Sequence, residues 1–387
     1  MRLLHVTPQP PEASSGGGLC VRQSALMIQS LAEVDYLGPE IPDAKLSSLY
    51  GNKYLFRAKG RIREGLMSAL QIERPGYFAD WQVLRKQIEW KKYEGVYLDF
   101  TKLFFVAKEA AKHDIPIIVR VHNIERDYYH DLMMHSHSPL GAMKYIVQRQ
   151  WERRTLNLAA ATLFLTKDDQ NRASDLYGLR DWNQNCVIIP VAVDCGRTDS
   201  SGPTVDGALR ILYTGSLWSE HNHDGILWFI NNVWPRIGHF CELTIAGANP
   251  SPKLINEIRY QRGITLVANP SDVDVSFLES HMYILPVFWG SGMKVRIAQA
   301  LSYGLPVVAT DTALVGYSIM QGRHGYRANT NEEFVKSIET YRSLATRQQT
   351  VMRSDILELF REEYSIESAK RRMGSALQAI RTWNSRR

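Results

Sequence analysis

The chain contains little cysteine: four residues among 387, at positions 20, 186, 195 and 241. No two of them form a C-x-x-C pair, so neither a zinc site nor a disulfide framework is indicated. Long hydrophobic runs are also absent, since the longest uncharged candidate, 155–166, is well short of the ~20 apolar residues that cross a bilayer. The apolar run at the N-terminus is too short for a signal peptide. These absences predict a cytoplasmic protein without a membrane span.

An excess of one charge is nearly absent as well. Lys and Arg total 46 against 40 Asp and Glu, which gives a net charge of +6. A dedicated nucleic-acid binder carries a dense basic stripe, so this mild excess argues against a nucleic-acid partner. Apolar residues make up 44% of the chain and charged residues 22%, a balance that excludes intrinsic disorder. The length suggests roughly two to three domains.

Short apolar runs alternate with helical patterns along most of the chain. The candidate strands lie at 3–7, 34–38, 53–56, 96–100, 116–122, 161–166 and 186–190, and then at 210–214, 243–246, 264–267, 283–287, 306–310 and 325–327. The candidate helices lie at 18–32, 61–71, 80–93, 102–113, 139–158 and 168–177, and then at 223–236, 252–261, 272–280, 293–303 and from about 331 to the end. Apolar runs without strict alternation are typical of parallel strands that are buried on both faces, and the alternation of strands with helices indicates βαβ units.

A polar stretch with glycine and proline, 195–203, separates the two halves and is typical of a linker. We therefore predict an α/β protein with two doubly wound Rossmann-like domains, at 1–196 and 205–365, that face each other across a cleft. The last helix, 366–387, is expected to pack back on the N-terminal domain. Ligands of such sheets bind beyond the carboxyl ends of the strands, near helix N-termini that attract anions.

The most informative segment, 284–310, reads ILPVFWGSGMKVRIAQALSYGLPVVAT. The pattern predicts a strand, a glycine turn, a helix that stops at Gly304, and another strand. Gly290 and Gly292 allow close backbone approach at the helix start, where backbone N–H groups and the Lys294 ammonium would meet an anion. The arrangement suits a diphosphate at the helix tip, although the P-loop pattern G-x-x-x-x-G-K-[ST] is absent.

Three further features follow candidate strands or lie on the predicted helix. Arg296 and Gln299 are three residues apart and therefore share a helix face, which suits contacts to ribose or sugar hydroxyls. A run of three glycines, 16–18, precedes the first predicted helix, but G-x-G-x-x-G is absent, so a dinucleotide site is not indicated. His122 directly follows a buried strand, where it could donate to a sugar hydroxyl or to a developing charge.

Taken in order along the chain, these motifs resemble those of retaining glycosyltransferases with the GT-B fold, specifically family 4 or group 1. The segment from 290 resembles G-S-G-M-K-x-K-x-x-E-A-L-x-x-G-x-P-V-V-x-T, and HNIE at 122–125 resembles the strand-end histidine motif. The glycine run resembles the N-terminal glycine loop of the family, and LYTGSL at 212–217 resembles the opening of its second domain. The matches run from about residue 1 to 330.

The resemblance implies a metal-independent glycosyltransferase of the hexosyltransferase type, which transfers a sugar from a nucleoside diphosphate-sugar donor to a hydroxyl acceptor with retention. No cofactor beyond the donor substrate is implied, and the acceptor would be a saccharide, lipid-linked or protein hydroxyl in polysaccharide or glycoconjugate assembly. The implied catalytic residues are His122, Lys294 and Gln299. The implied donor-binding residues are Gly16, Gly17, Gly18, Gly215, Ser216, Ser291, Gly292, Met293, Lys294, Arg296 and Gln299.

Two departures from the family pattern leave alternatives open. Gln299 stands where the family has a glutamate, and a glutamine loses charge and accepting capacity, so donor binding would be weaker or altered. The arginine and lysine that are common in the second-domain opening are missing from 216–223, which places more of the phosphate contact on Lys294 and Arg296. A nucleotide-sugar epimerase of the same fold and a non-catalytic member therefore remain alternatives.

Two charged features receive structural interpretations. Asp272 and Asp274 form a D-x-D pattern, but they open a predicted helix, where capping and the helix dipole account for acidic residues, so no metal is predicted. Basic clusters at 57–63, 85–92 and 386–387 are typical of solvated helix faces. A second hypothesis is peripheral docking on an anionic membrane at its inner face, with which helices bearing Trp81 and Trp90 are compatible.

Overall fold

The computed structural model describes residues 1–11, 16–57, 76–136, 139–178, 185–196, 202, 203, 205, 207–290 and 292–385. Residue contacts divide the chain into two compact units. The first unit comprises Met1–Pro190 together with Ala369–Arg387, and the second comprises Val191–Ser368. Most of the predicted linker, and all of the predicted helix at 61–71, lie outside the described residues. Among the helices that are described, none is both long enough and apolar enough to span a bilayer.

The first unit contains a seven-stranded parallel sheet in the order β3-β2-β1-β4-β5-β6-β7. Its strands are β1 (Arg2–Val6), β2 (Glu33–Gly38), β3 (Lys53–Leu55), β4 (Gly95–Asp99), β5 (Ile117–Val121), β6 (Ala161–Phe164) and β7 (Cys186–Ile188). Because β1 has β2 on one side and β4 on the other, the strand order reverses at β1. The carboxyl ends of β1 and β4 therefore form a topological switch point, where sheets of this kind bind ligands.

The helices of the first unit connect these strands. They are α1 (Gly16–Gln29), α2 (Ala44–Ser48), α3 (Gly76–Gln87), α4 (Phe104–Lys112), α5 (Glu125–Ser136), α6 (Pro139–Leu158) and α7 (Lys167–Tyr177). Each end is set by local chemistry: α7, for example, begins where the Thr166 side chain accepts the Asp169 N–H and ends at Gly178 in a left-handed conformation. A short 3-10 helix, Trp90–Lys92, precedes β4.

The second unit repeats the architecture with a six-stranded parallel sheet in the order β10-β9-β8-β11-β12-β13. Its strands are β8 (Leu209–Ser216), β9 (Cys241–Ala248), β10 (Ile264–Ala268), β11 (Met282–Leu285), β12 (Val307–Ala309) and β13 (Gly325–Arg327). Here β8 lies between β9 and β11, so the carboxyl ends of β8 and β11 form the switch point of this sheet.

The helices that follow in the chain are α8 (Glu220–Asn232), α9 (Trp234–Ile237), α10 (Pro252–Ile258), α11 (Asp274–Glu279), α12 (Val295–Ser302), α13 (Asn331–Ser343), α14 (Thr346–Leu359) and α15 (Ile366–Ser385). A capping box starts α13, because Thr330 accepts the Glu333 N–H and the Glu333 carboxylate accepts the Thr330 N–H. One turn of π-helix, Phe360–Tyr364, precedes α15, close to the predicted break.

The predicted α/β architecture is confirmed, since each candidate strand corresponds to one of the thirteen strands of the two sheets. Two helices were not predicted. Helix α2 is short, and α5, with the sequence ERDYYHDLMMHS, is too polar to show a helical apolar stripe. Helix α1 begins at Gly16, so the three glycines form its first turn and not a loop before it.

The sheets and helices pack around apolar side chains, and the core of the first unit includes the two tryptophans on which the membrane hypothesis was based. Trp81 and Trp90 have exposed fractions of 2% and 5%, and they pack edge-to-face in the core of the first unit. Buried aromatic side chains cannot enter a lipid surface, so these two tryptophans give the membrane hypothesis no support. Most of the basic cluster at 57–63 lies outside the described residues.

Candidate functional site

The turn between β11 and α12 holds three of the predicted donor-binding residues, Gly292, Met293 and Lys294. It follows β11 at the switch point of the second sheet, and α8, which follows the adjacent β8, packs beside it. Gly225 of α8 allows this close packing: a Cβ atom there would lie 1.9 Å from the Pro286 carbonyl oxygen. The first turn of α8 and the turn after β11 are therefore held at the same edge of the sheet.

Lys294 is the charged centre of this turn. Its ammonium donates to the carbonyl oxygens of Gly290, at 3.1 Å, and Gly292, at 3.0 Å. Both glycines have positive φ, 102° and 76°, a region that favours glycine. The backbone of the turn thus folds around the lysine ammonium and fixes its position. Ser291, between the two glycines, lies outside the described residues.

Helix α12 begins two residues later than the sequence pattern predicts. Lys294 is its N-cap residue with an extended backbone, φ −91° and ψ 101°, and Val295 is the first helical residue. The Tyr317 hydroxyl donates to the Lys294 carbonyl at 2.8 Å and accepts the Ala298 N–H at 3.3 Å. The amides of Gly292 and Met293, which were expected in the first helical turn, therefore belong to the turn that precedes it.

Arg296 and Gln299 lie together on one face of α12, as their spacing predicts. The Arg296 Nη1 donates to the Gln299 Oε1 at 2.7 Å. Burial lowers the pKa of Arg296, and the hydroxyls of Tyr283 and Tyr213 beneath it oppose that shift. The guanidinium nevertheless remains charged, because arginine does not lose its proton in proteins. The amide oxygen of Gln299 has this charged donor as a partner.

The first turn of α8 contributes two residues that sequence reasoning missed. The Asn222 Nδ2 donates to the Ser216 carbonyl at 3.2 Å, and the Tyr213 hydroxyl donates to the Asn222 carbonyl at 3.0 Å. These bonds tie the helix to the end of β8, where Gly215 and Ser216 lie. Asn222 and the second missed residue, His221, both belong to the polar run after β8. Nothing in the sequence indicated that this run lies beside the turn after β11.

The second missed residue, His221, lies beside Lys294. The Cβ position above Gly290 is 3.9 Å from the His221 ring and 4.0 Å from the Lys294 ammonium, so the two side chains flank the open side of this glycine. Burial and the charge of Lys294 lower the pKa of His221 to about 4, against an opposing effect of Asp224. The imidazole is therefore neutral at pH 7. An anion that binds here would meet Lys294 as the charged donor.

In the first unit, the first turn of α1 holds Gly16, Gly17 and Gly18. Their exposure falls from exposed Gly16 to buried Gly18. A Cβ atom on Gly17 would lie 2.1 Å from the Gln9 Oε1, so the loop after β1 packs directly against this turn. The glycines thus allow a close approach by the chain itself.

His122 follows β5 and lies beside the switch point of the first sheet, in a group of buried polar residues. Its Nε2 is 2.7 Å from the Asp99 Oδ1, at the end of β4, and the Asp99 Oδ2 is 2.6 Å from the Nε2 of His5 in β1. The Phe100 ring, which follows Asp99, packs on the His122 ring at 4.2 Å between centroids. Phe100 has a φ of 65°, a strained conformation for an aromatic residue.

Glu152 anchors the segment that follows His122. Its carboxylate is fully buried, accepts the N–H groups of Glu125 and Arg126 at the start of α5, and also accepts the Tyr177 hydroxyl. Burial raises the pKa of Glu152 to about 7, although these three hydrogen bonds lower it. A carboxylate at a helix N-terminus also complements the helix dipole. The strand-end histidine is therefore followed by a rigidly held helix.

The D-x-D pattern forms a local turn. The Asp272 Oδ1 accepts the Asp274 N–H at 2.8 Å, and α11 begins at Asp274. Among the residues that the structure describes, no group of three or more His, Cys, Asp or Glu side chains is arranged to hold a metal ion.

The first comparison with known proteins concerns the second unit. Residues 208–342 match the family described as Glycosyl transferases group 1, a segment that contains β8, the turn after β11 and α12. Most of the second unit therefore matches the model of this family. The turn that carries Lys294 and the helix that carries Gln299 lie inside the matched segment.

Solved structures cover both units. The structure of Anabaena HepE in complex with UDP and glucose covers 98% of this chain and is itself covered over its full length, with 14% identity and a TM-score of 0.69. Sucrose-phosphate synthase from Thermosynechococcus elongatus covers 99% of this chain, again over its own full length, with 12% identity and a TM-score of 0.72. At these identities the likeness establishes the fold, and the chain has the GT-B fold.

A curated relative extends along most of the chain. It is a Klebsiella pneumoniae protein described as an uncharacterized 44.6 kDa protein in the cps region, 24% identical over 357 residues, which are 87% of this chain and 89% of the relative. The similarity of this chain to known proteins is therefore not confined to residues 208–342.

Proposed function

We propose that the protein is a retaining glycosyltransferase that transfers a sugar from a nucleoside diphosphate-sugar to a hydroxyl acceptor. The observation that carries the proposal is the turn after β11, in which two glycine carbonyls hold the Lys294 ammonium at the start of α12. A switch-point edge with a fixed cation beside a helix start is a site for a phosphate group. The UDP in the HepE structure supports a nucleotide donor.

In the proposed reaction, Lys294 stabilises the negative charge that develops on the departing diphosphate. An ammonium group that is already in place when this charge develops needs no reorganisation, and preorganised hydrogen-bond donors of this kind lower a reaction barrier. Arg296 and Gln299 contact the nucleotide through ribose hydroxyls or phosphate oxygens, and Gly215 and Ser216 line the same edge. Because the amide oxygen of Gln299 already accepts from Arg296, it offers a ribose hydroxyl only its second lone pair.

The leaving phosphate oxygen accepts the proton of the attacking hydroxyl, so the reaction needs neither a protein nucleophile nor a metal. His122 contacts a sugar hydroxyl of the substrate. The acceptor is a saccharide, a lipid-linked saccharide or a protein hydroxyl in polysaccharide or glycoconjugate assembly, a role to which the cps-region relative points.

Nucleotide binding tests the site before any acceptor is known. The full chain is titrated by calorimetry with UDP, GDP and ADP, and the best ligand is then titrated into Lys294→Ala. A hydrogen bond to a charged group contributes ~1.5–3 kcal/mol, so we expect affinity to fall about 10- to 150-fold. The matched control is Lys336→Ala, which removes the same charge from the exposed side of α13 in the same unit. Equal affinities for the two variants would refute the role of Lys294.

Product analysis tests the reaction itself. The chain is incubated with UDP-glucose in water, where slow hydrolysis replaces transfer, and NMR records the anomer that first appears. The α-anomer supports a retaining enzyme, and the β-anomer overturns retention. Conversion of the nucleotide-sugar to its epimer without an acceptor would indicate an epimerase instead. Nucleotide binding without any turnover over the full panel of donors would indicate a non-catalytic member.

A further inference from the structure

A chain of hydrogen bonds runs beneath the carboxyl edge of the first sheet and ends at His122. The Tyr50 hydroxyl is 2.7 Å from the Nδ1 of His5, and the Nε2 of His5 is 2.6 Å from Asp99. The other oxygen of Asp99 is 2.7 Å from the Nε2 of His122. His5 and Asp99 are fully buried, and the exposed fraction of His122 is 6%. His5 and Asp99 lie on the adjacent strands β1 and β4, and His122 directly follows the next strand, β5, so the sheet fixes the spacing of these three residues.

The hydrogen bonds around Asp99 keep it ionised. Burial alone would raise its pKa, but hydrogen bonds from His122 and His5 hold the pKa well below the usual range. The Ser24 hydroxyl also donates to Asp99 at 2.8 Å, and the Arg120 guanidinium donates to the Ser24 oxygen at 3.1 Å. A carboxylate without a proton can only accept hydrogen bonds. The Nε2 atoms of both histidines must therefore be the N–H donors.

The charge state of the His122 ring determines its other nitrogen. The Nδ1 of His5 lies 2.7 Å from the Tyr50 hydroxyl, which keeps its proton because burial raises its pKa well above the usual value. Burial also lowers the pKa of His122, and the nearby Arg120 and Lys102 charges lower it further, against the opposing effect of Asp99. A neutral His122 that has its proton on Nε2 has a bare lone pair on Nδ1. This buried Nδ1 has no hydrogen-bond partner among the described residues.

We propose that Asp99 is a positioning residue that fixes His122 in the Nε2–H tautomer, so that its Nδ1 accepts a hydrogen bond from a sugar hydroxyl of the substrate. This inference rests on the proposed function for its ligand, and it reverses the expectation that His122 donates. An acceptor-only nitrogen selects a group that carries a proton, such as a hydroxyl or an acetamido N–H. It disfavours phosphate and carboxylate oxygens, whose lone pairs would meet its own.

His5 and Phe100 complete the device. His5 holds the far oxygen of Asp99, which prevents the carboxylate from turning away from His122. The Phe100 ring covers one face of the imidazole. Because both contacts restrict rotation, they direct the lone pair of Nδ1 along one line. We assign the strained backbone of Phe100 to the same task, since its left-handed turn places the ring directly after Asp99.

Nitrogen-15 NMR of the full chain, labelled at histidine, tests the tautomer without any ligand. The signals of His122 are identified by their loss in His122→Gln. We expect the pattern of a neutral ring with a protonated Nε2 and a bare Nδ1, unchanged between pH 6.5 and 8. A protonated Nδ1, or a doubly protonated ring at pH 7, would overturn the proposal.

Asp99→Asn tests whether Asp99 sets the tautomer. A carboxamide has one accepting oxygen and one donating nitrogen, so it cannot accept from both rings. We expect at least one of the two histidines to move its proton to Nδ1, which the same spectra record in the folded variant. If both rings keep the wild-type tautomer, Asp99 does not set it and the proposal fails. If the variant does not fold, the wild-type spectra alone decide the outcome.

A titration with UDP-glucose separates this inference from the proposed function. At concentrations that calorimetry shows to be saturating, we expect the His122 Nδ1 signal to shift as it becomes hydrogen-bonded while Nε2 keeps its proton. Saturation without any shift at His122 would overturn the sugar contact but leave nucleotide binding intact. Absence of binding to every nucleotide and nucleotide-sugar tested would refute the proposed function, and with it the hydroxyl contact, whereas the tautomer assignment would stand on the ligand-free spectra.

Discussion

Gly225→Ala tests whether close packing of α8 against the chain after β11 forms the candidate site. In the structure, the added Cβ atom would lie 1.9 Å from the Pro286 carbonyl oxygen. Carbon and oxygen atoms that are not bonded approach to about 3.3 Å, so the shortfall is about 1.4 Å. Because the obstacle is a backbone carbonyl at the end of a buried strand, no side-chain rotation can relieve it, and α8 itself must move.

The magnitude combines two opposing effects. Overpacking of this kind costs ~1–3 kcal/mol, and the absence of a flexible neighbour places this position at the upper end. Alanine offsets roughly 1 kcal/mol of that cost through its better helix propensity. A net loss of about 2 kcal/mol corresponds to a fall of roughly 4–8 °C in Tm for a unit of this size. Nucleotide affinity should fall as well, because the movement takes His221 away from Lys294.

The assay is thermal unfolding with and without saturating nucleotide, and the matched control is Gly374→Ala. Gly374 lies on the exposed side of α15, and a Cβ atom there meets no other atom within 4 Å. We expect the control to gain ~0.5–1 kcal/mol of stability and to bind nucleotide as the wild type does. If both variants shift Tm in the same direction and bind nucleotide equally well, the packing of α8 does not form the site.

Three further variants address separate features. His221→Gln should remove a loss of stability that the wild type shows on acidification. Because the pKa of His221 is about 4 in the folded protein and 6.5 ordinarily, the wild type loses up to about 3 kcal/mol of unfolding free energy as pH falls through this range. An equal slope of Tm against pH in the variant and the wild type would contradict this. Thr330→Ala should cost about 1 kcal/mol by removing the capping box of α13, measured by urea unfolding against the mid-helix control Thr340→Ala. Tyr317→Phe should weaken nucleotide binding about 3- to 10-fold by calorimetry, because the Lys294 carbonyl loses its donor, whereas exposed Tyr260→Phe should bind unchanged.

The sheets could be predicted from the sequence because their strands are buried on both faces. β4 and β5, for example, are buried at every position, and such strands leave continuous apolar runs in the sequence. Polar helices leave no comparable signal in the sequence. Helix α5 has no apolar stripe of its own and was therefore missed, because it is the carboxylate of Glu152 and packing on α6 that hold it in place.

The candidate site could be predicted in part. Gly290, Gly292 and Lys294 predicted the turn after β11, because residue type and spacing are local features of the sequence. The start of α12 at Val295 was not visible, because it depends on the Tyr317 hydroxyl, which lies 23 positions after Lys294. Asp99 and His5 were missed for the same reason. They are in contact only because β4 lies beside β1, and the sequence of a single strand does not indicate which strands lie next to it in the sheet.

The grouping of Ala369–Arg387 with the first unit has a consequence for synthesis. Ile380 of α15 is fully buried, and its side chain fills the space in front of Gly95 at the start of β4. The ribosome makes the part of this helix that belongs to the first unit only after the whole of Val191–Ser368 has been synthesised. The first unit therefore keeps an uncovered patch at the start of β4 throughout the synthesis of the second unit. The N-terminal half of the chain is thus expected to be the part that depends on chaperones in the cell.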